Sequence, residues 1–206
     1  MKTLFFSLIF SFSSLYALVL NDRDKKALVE YTGARFRNLN HSLRQGKGVP
    51  PADKVFYQDL ITVLQKIPPY VGITFRGGKL DKSLIMHVKN KGYLSDEGFL
   101  STTLDRGVGM GYSFEEETFY EIKSLTGKPI MDYSTFPDEK ELVFLPFSVF
   151  KASFKGKIKV RNPLFSTSPN APTKEVDHVE LIEQARWPNA VVRSLSNGRV
   201  LTKPMK

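Results

Sequence analysis

The sequence predicts an α+β domain, helical at its start and sheet-rich afterwards. Up to Pro68-Pro69 the apolar residues recur at helical spacing; beyond residue 70 they fall into short β-rich runs separated by turn residues. No regular alternation of strand and helix persists, which disfavours a doubly wound parallel sheet. A chain of 206 residues, 41% apolar and 25% charged, is large enough for one hydrophobic core and has the composition of a globular domain.

The N-terminal stretch stands apart. Lys2 precedes an uncharged run whose centre, Leu4-Phe5-Phe6-Ser7-Leu8-Ile9-Phe10, is strongly apolar, and Ala17 supplies a small residue for cleavage. Residues 1–17 therefore read as a secretory signal peptide, with an uncleaved anchor as the alternative. Residues 18–206 read as a single domain that leaves the cytoplasm, whether secreted, periplasmic or surface-anchored.

In residues 22–44, Ala27, Leu28, Tyr31, Phe36, Leu39 and Leu43 form a helical pattern interrupted near Gly33 and closed by Gly46-Lys47-Gly48. Pro50-Pro51 opens a second helix with Val55, Phe56, Leu60, Val63 and Leu64 on one face, and Pro68-Pro69 ends it. Strands are expected at 71–75, 98–101, 118–124, 129–133, 141–145, 149–154 and 178–183, with a helical stretch around 80–90. Gly107, Gly109 and Gly111 lack the third glycine spacing and the strand-turn-helix context of a dinucleotide loop, so a flexible turn is expected there.

The absence of cysteine excludes disulfides and thiol chemistry, and His41, His87 and His178 lie too far apart in sequence for paired-ligand spacing, so no metal is expected. Lys and Arg number 30 against 21 Asp and Glu, a net charge of +9 that does not choose among phosphate-bearing cofactors, acidic proteins, membranes and nucleic acid. The mild cluster Lys151, Lys155, Lys157, Lys159 and Arg161 reads as the solvated face of a strand hairpin, and no nucleic-acid partner is expected.

Three segments follow in order: Thr74-Phe75-Arg76-Gly77, Gly98-Phe99-Leu100-Ser101-Thr102-Thr103, and Phe136-Pro137-Asp138-Glu139-Lys140-Glu141-Leu142-Val143-Phe144-Leu145-Pro146. Arg76 ends a strand beside glycines at 77 and 78, where a guanidinium can fork across phosphate oxygens. Glu139 and Glu141 are two residues apart, so on an extended strand both would face one cleft. The apolar run Leu142–Leu145 behind them indicates a buried strand that delivers them to a fixed place.

Together these segments resemble the mono-ADP-ribosyltransferases of the Arg, Ser-Thr-Ser and ExE type, in their arginine-specific toxin branch. Tyr31-Thr32-Gly33, Asn40, Leu43-Arg44 and Leu125-Thr126-Gly127-Lys128 extend the likeness over roughly residues 28–183. The resemblance implies a fold in which N-terminal helices pack on a core of two mostly antiparallel β-sheets. It also implies NAD⁺ as substrate, held by Arg76 at its phosphates and by the Gly77 backbone at its nicotinamide amide.

By the same resemblance Ser101 braces Glu141, Glu141 stabilises the ribose cation, and Glu139 acts as base toward an arginine acceptor. Thr103 stands where serine is commoner. Tyr112 would lie near the nicotinamide, with a core tyrosine as the competing reading. Phe136 would be the aromatic tip of a target-recognising loop, against a buried ring at a strand end. Tyr31, Asn40 and Arg44 would surround adenosine and phosphates, against capping or surface roles. The partner implied is a target protein with an acceptor arginine, reached through a delivery subunit or secretion system. An NAD⁺ glycohydrolase and a non-catalytic binding module are the competing functions.

Overall fold

The computed structural model describes residues 20–163, 168 and 170–204. The signal segment read at residues 1–17 lies outside them, and no helix among the described residues is long and apolar enough to cross a membrane.

Helix α1 (Asp22–Glu30) starts at Asn21, whose side chain accepts from the Asp24 amide while the Asp24 carboxylate accepts from the Asn21 amide. A single π-turn, Tyr31–Arg35, joins it to α2 (Phe36–Arg44), and Gly33 has non-helical torsions there. This is the interruption that Gly33 foreshadowed, and it turns Thr32 and Gly33 toward a cleft. Helix α3 (Lys54–Lys66) follows a 3-10 turn begun by Pro51 and buries Phe56, Leu60, Val63 and Leu64. Val55 does not join that face; it is 68% exposed, since one residue before Phe56 points about 100° away.

The strands are β1 (Gly72–Gly78), β2 (Tyr93–Ser95), β3 (Leu100–Thr103), β4 (Thr118–Ser124), β5 (Lys128–Pro129), β6 (Glu141–Phe144), β7 (Val149–Arg161), β8 (Thr173–Glu183), β9 (Val192–Ser194) and β10 (Val200–Leu201). The short α4 (Ile85–Lys89) precedes β2, and α5 (Arg106–Glu116) lies between β3 and β4. The strand order is β10-β9-β2-β7-β8-β4-β1-β3-β6-β5. Pairing is antiparallel except between β2 and β9 and between β4 and β8.

The α+β class holds, and the two expected sheets are hydrogen-bonded into one order. They join at β1 and β3, where the only paired residues are Phe75 and Thr103. Leu142 and Phe144 of β6 share an apolar layer with Ile122 of β4, Phe150 of β7 and Leu181 of β8. Val143, between them in sequence, faces the opposite way into a layer with Leu28, Leu39, Leu60 and Leu64 from α1–α3. Each fully buried leucine in these layers contributes about 1.5–3 kcal/mol.

Three local expectations are corrected. The glycines at 107, 109 and 111 belong to α5 rather than a flexible turn: the Asp105 carboxylate caps its start, accepting from the Gly107 amide at 2.8 Å. Gly109 allows α5 to lie on β1, because a Cβ there would come within 2.7 Å of Phe75 Cβ. The strand expected at 129–133 shrinks to β5 and a 3-10 turn, Met131–Tyr133. Strands β2, β9 and β10 were not foreseen, being two- or three-residue segments whose ladders form only with distant partners. The lysine cluster lies on β7, where Lys155 pairs with Glu180 and Lys157 with Asp177 of β8.

Candidate active site

A cleft of about 550 Å³ opens between the π-turn and α5, lined by residues of β1, β3 and β6. Arg76 reaches it from β1. Its Nη1 donates to the Ser101 carbonyl at 2.6 Å, and no carboxylate among the described residues forms an ion pair with it. Burial, and then repulsion from Arg44, lower the guanidinium's proton affinity. A half-buried cation without a counter-anion is a ready partner for a phosphate.

Ser101 links this arginine to a carboxylate. Its carbonyl accepts from Arg76 while its hydroxyl donates to Glu141 Oε1 at 2.6 Å. Ser101 pairs across the ladder with Val143 and Thr103 with Glu141, so Ser101, Thr103 and Glu141 share one sheet face. Glu141 is only 8% exposed. Burial raises its pKa above the usual carboxylate value, the Ser101 hydrogen bond pulls it back, and Glu139 raises it further.

Glu139 reaches the same cleft by another route. It ends the 3-10 turn Pro137–Glu139, and Lys140 follows in the left-handed conformation with φ of 46°. The expected i, i+2 strand geometry is therefore corrected: the chain turns at Lys140, and only Glu141 belongs to the strand. The Thr103 hydroxyl donates to the Glu139 carbonyl at 2.6 Å, and the Tyr112 phenol donates to Glu139 Oε1 at 2.6 Å. The Thr32 hydroxyl accepts from the Thr135 amide at 2.9 Å, tying the loop before Glu139 to the π-turn.

The family model described as NAD:arginine ADP-ribosyltransferase matches residues 10–162. The chain belongs to this family. Among curated relatives it is similar to a putative NAD(+)--arginine ADP-ribosyltransferase, Mav, of Mycobacterium avium, 31% identical over 64% of this chain and 16% of the relative. It is also similar to secreted exoenzyme S of Pseudomonas aeruginosa, at 30% identity over 60% of this chain and 27% of that protein. The Serratia proteamaculans NAD(+)--protein-arginine ADP-ribosyltransferase Tre1 is 27% identical over 65% of this chain and 29% of its own length. The chain thus spans well under a third of these relatives.

Solved structures share the fold. The Vis toxin, an ADP-ribosyltransferase from Vibrio splendidus, superposes with a TM-score of 0.66 at 19% identity, over 88% of this chain and 83% of that one. Exoenzyme S, solved with human 14-3-3 protein beta and Carba-NAD, gives 0.61 at 22% identity, covering 80% and 75%.

Within this ADP-ribosyltransferase-family fold, eight of the ten residues singled out in the sequence line the cleft: Tyr31, Arg76, Gly77, Ser101, Tyr112, Phe136, Glu139 and Glu141. Phe136 is 54% exposed and Tyr112 52%, which excludes a buried ring for either. Gly77 is a glycine for an internal reason: a Cβ there would lie 2.3 Å from the Ser113 amide of α5. The Tyr31 hydroxyl is buried without a hydrogen bond, since the nearby Asn40 amide is committed to Phe99. Burial drives the Tyr31 phenol pKa upward.

Asn40 and Arg44 do not line that cleft but an adjoining pocket of about 450 Å³, which shares Phe36 and Arg37 with it. The Asn40 amide satisfies both the N–H and the C=O of Phe99, at 2.8 and 3.3 Å, and Arg44 forks onto Asp96 at 2.8 and 2.9 Å. Their helical spacing places them together on the inner face of α2, where they join it to the chain entering β3. Thr32, Arg37, Lys79 and Glu116 line the cleft without having been anticipated as site residues, and Asp105 and Lys140 buttress it. Only Asp105 carried a local signal, as an N-cap before a helix; contacts such as Thr32 with Thr135 span 103 residues.

Proposed function

We propose that this chain transfers ADP-ribose from NAD⁺ to an arginine side chain of another protein, outside the cytoplasm in which it is made. One observation carries the reading. Ser101 joins an arginine without a counter-ion to a buried carboxylate through its two oxygens, in a cleft that Glu139 also enters.

Arg76 suits the diphosphate of NAD⁺, and its bond to the Ser101 carbonyl aims it. Glu141, on the rigid β6 and oriented by Ser101, faces the ribose as the bond from C1′ to the nicotinamide nitrogen breaks. Nicotinamide leaves with the electron pair, and positive charge builds on the ribose, where a fixed carboxylate in a poorly solvated site stabilises it. An arginine nitrogen then bonds to C1′. A guanidinium must lose a proton as it attacks, and Glu139 stands at the mouth of the cleft to take it. Exposed Phe136, beside Glu139, offers an apolar contact for the incoming protein.

The leader-like residues 1–17 support export, as do relatives named as a secreted exoenzyme and an exoenzyme. Cleavage after Ala17 would retain Leu20, packed into the helical core, and the Asn21 cap of α1. The purified chain is to be incubated with NAD⁺ and agmatine, a small guanidine, following both nicotinamide release and ADP-ribosyl-agmatine. Both products are expected. Glu139→Gln should lower transfer by about 10²–10⁴-fold, the usual worth of a general base, while hydrolysis of NAD⁺ continues. Nicotinamide release without any agmatine product would establish a glycohydrolase instead; neither product, with NAD⁺ still bound, would establish a binding module.

A further inference from the structure

We infer that Tyr112 is a positioning residue that aims Glu139 at the acceptor, which gives helix α5 a part in choosing transfer over hydrolysis. This rests on the proposed roles of Glu139 and Glu141 and extends them to a residue whose ring the family resemblance associates with nicotinamide.

The two carboxylates are held very differently. Glu141 sits on a paired strand and accepts from Ser101. Glu139 has no strand to hold it, and the Tyr112 phenol is the one side-chain donor seen on its carboxylate among the described residues. A glutamate on a turn has three freely rotating side-chain bonds, and a single charge-assisted hydrogen bond selects one arrangement.

Helix α5 can supply that bond because it is fixed at both ends of the contact. At its start, Asp105 caps the helix and also pairs with Lys140 at 3.0 Å, the residue directly after Glu139. Thr103 closes the circuit, donating to the Glu139 carbonyl and accepting from the Asp105 amide at 2.9 Å. About two turns further along, Gly77 lets Tyr112 and Ser113 rest directly on β1. Glu139 is thus held by its backbone through Thr103 and by its carboxylate through Tyr112. The phenol pKa is pushed up to about 12, first by the Glu139 hydrogen bond and then by burial, so the proton stays on the tyrosine and the phenol remains a donor. Glu141 on β6 and Glu115 on α5 are the other charges that bear on it, and both act in the same direction.

The test is Tyr112→Phe, which keeps the ring and removes the hydroxyl at a half-exposed position. The ratio of agmatine transfer to NAD⁺ hydrolysis should fall about tenfold, the scale of one hydrogen bond to a charged group. In a Glu139→Gln background the same change should cost no further transfer. Equal losses of transfer and hydrolysis would overturn the inference and return Tyr112 to a nicotinamide contact. If Glu139→Gln by itself lowers transfer and hydrolysis equally, the base role of Glu139 fails first, and the two failures are told apart.

Discussion

Glu141 and Glu139 are neighbours in sequence and opposites in construction. Glu141 is 8% exposed, lies on a strand paired on both sides and is braced by Ser101 from the adjacent strand. Glu139 is half-buried, ends a 3-10 turn and is braced by Thr103 and by Tyr112 from a helix. The difference teaches that two carboxylates in one cleft can be fixed by different means, one by strand pairing and one by side-chain bonds to a turn.

The largest break in this contrast should come from the sheet side. Glu141→Gln is expected to lower both nicotinamide release and arginine transfer by about 10²–10³-fold, the scale of losing one fixed electrostatic stabiliser. The same change should raise thermal stability, which separates it from ordinary damage. The folded-state pKa of Glu141 lies above its unfolded value, so the folded protein favours the protonated form. Stability is therefore lost as pH rises from the ordinary carboxylate range through the raised value, and a neutral glutamine removes that cost. Calorimetry at neutral pH should show a higher Tm, by about 2–4 °C for each kcal/mol relieved. A lower Tm would show that the carboxylate is a net stabiliser.

The pH dependence of the two properties should run in opposite directions. Between the unfolded and folded pKa of Glu141, nicotinamide release should rise with pH as the carboxylate forms, while Tm falls. Parallel curves would move the titrating group elsewhere.

Ser101→Ala should lower hydrolysis and transfer together by about tenfold, since it removes one charge-assisted hydrogen bond from Glu141 and leaves the acceptor side intact. A selective loss of transfer would show that Ser101 serves Glu139 instead. The smallest effect on chemistry is expected behind the cleft. Asn40→Ala leaves the buried Phe99 amide without its partner, while the Phe99 carbonyl keeps Arg44 Nη2 at 3.2 Å, and should cost about 1–3 kcal/mol of stability, measured by urea unfolding, with little change in the KM for NAD⁺. A large rise in that KM with unchanged stability would restore Asn40 to the cofactor.

The primary sequence determined the order of the domain and the family to which it belongs. Helical spacing located α1 to α3, including the break at Gly33, because burial of one face demands that period whatever the partner. The strand expected at 118–124 appears with those ends because its apolar run is bounded by a helix end and a turn. Arg76, Ser101 and the glutamates at 139 and 141, singled out by the family resemblance, line one cleft. What only the tertiary structure decided is how they meet. The left-handed Lys140, the packing of a glycine-bearing α5 on β1 and the Tyr112 bond to Glu139 all depend on contacts between segments far apart in sequence. So does the commitment of Asn40 and Arg44 to Phe99 and Asp96, more than 50 residues away, which ties α2 to the chain entering β3. Local periodicity reports which face of an element is buried; it carries no information about the atoms that will be found on the other side.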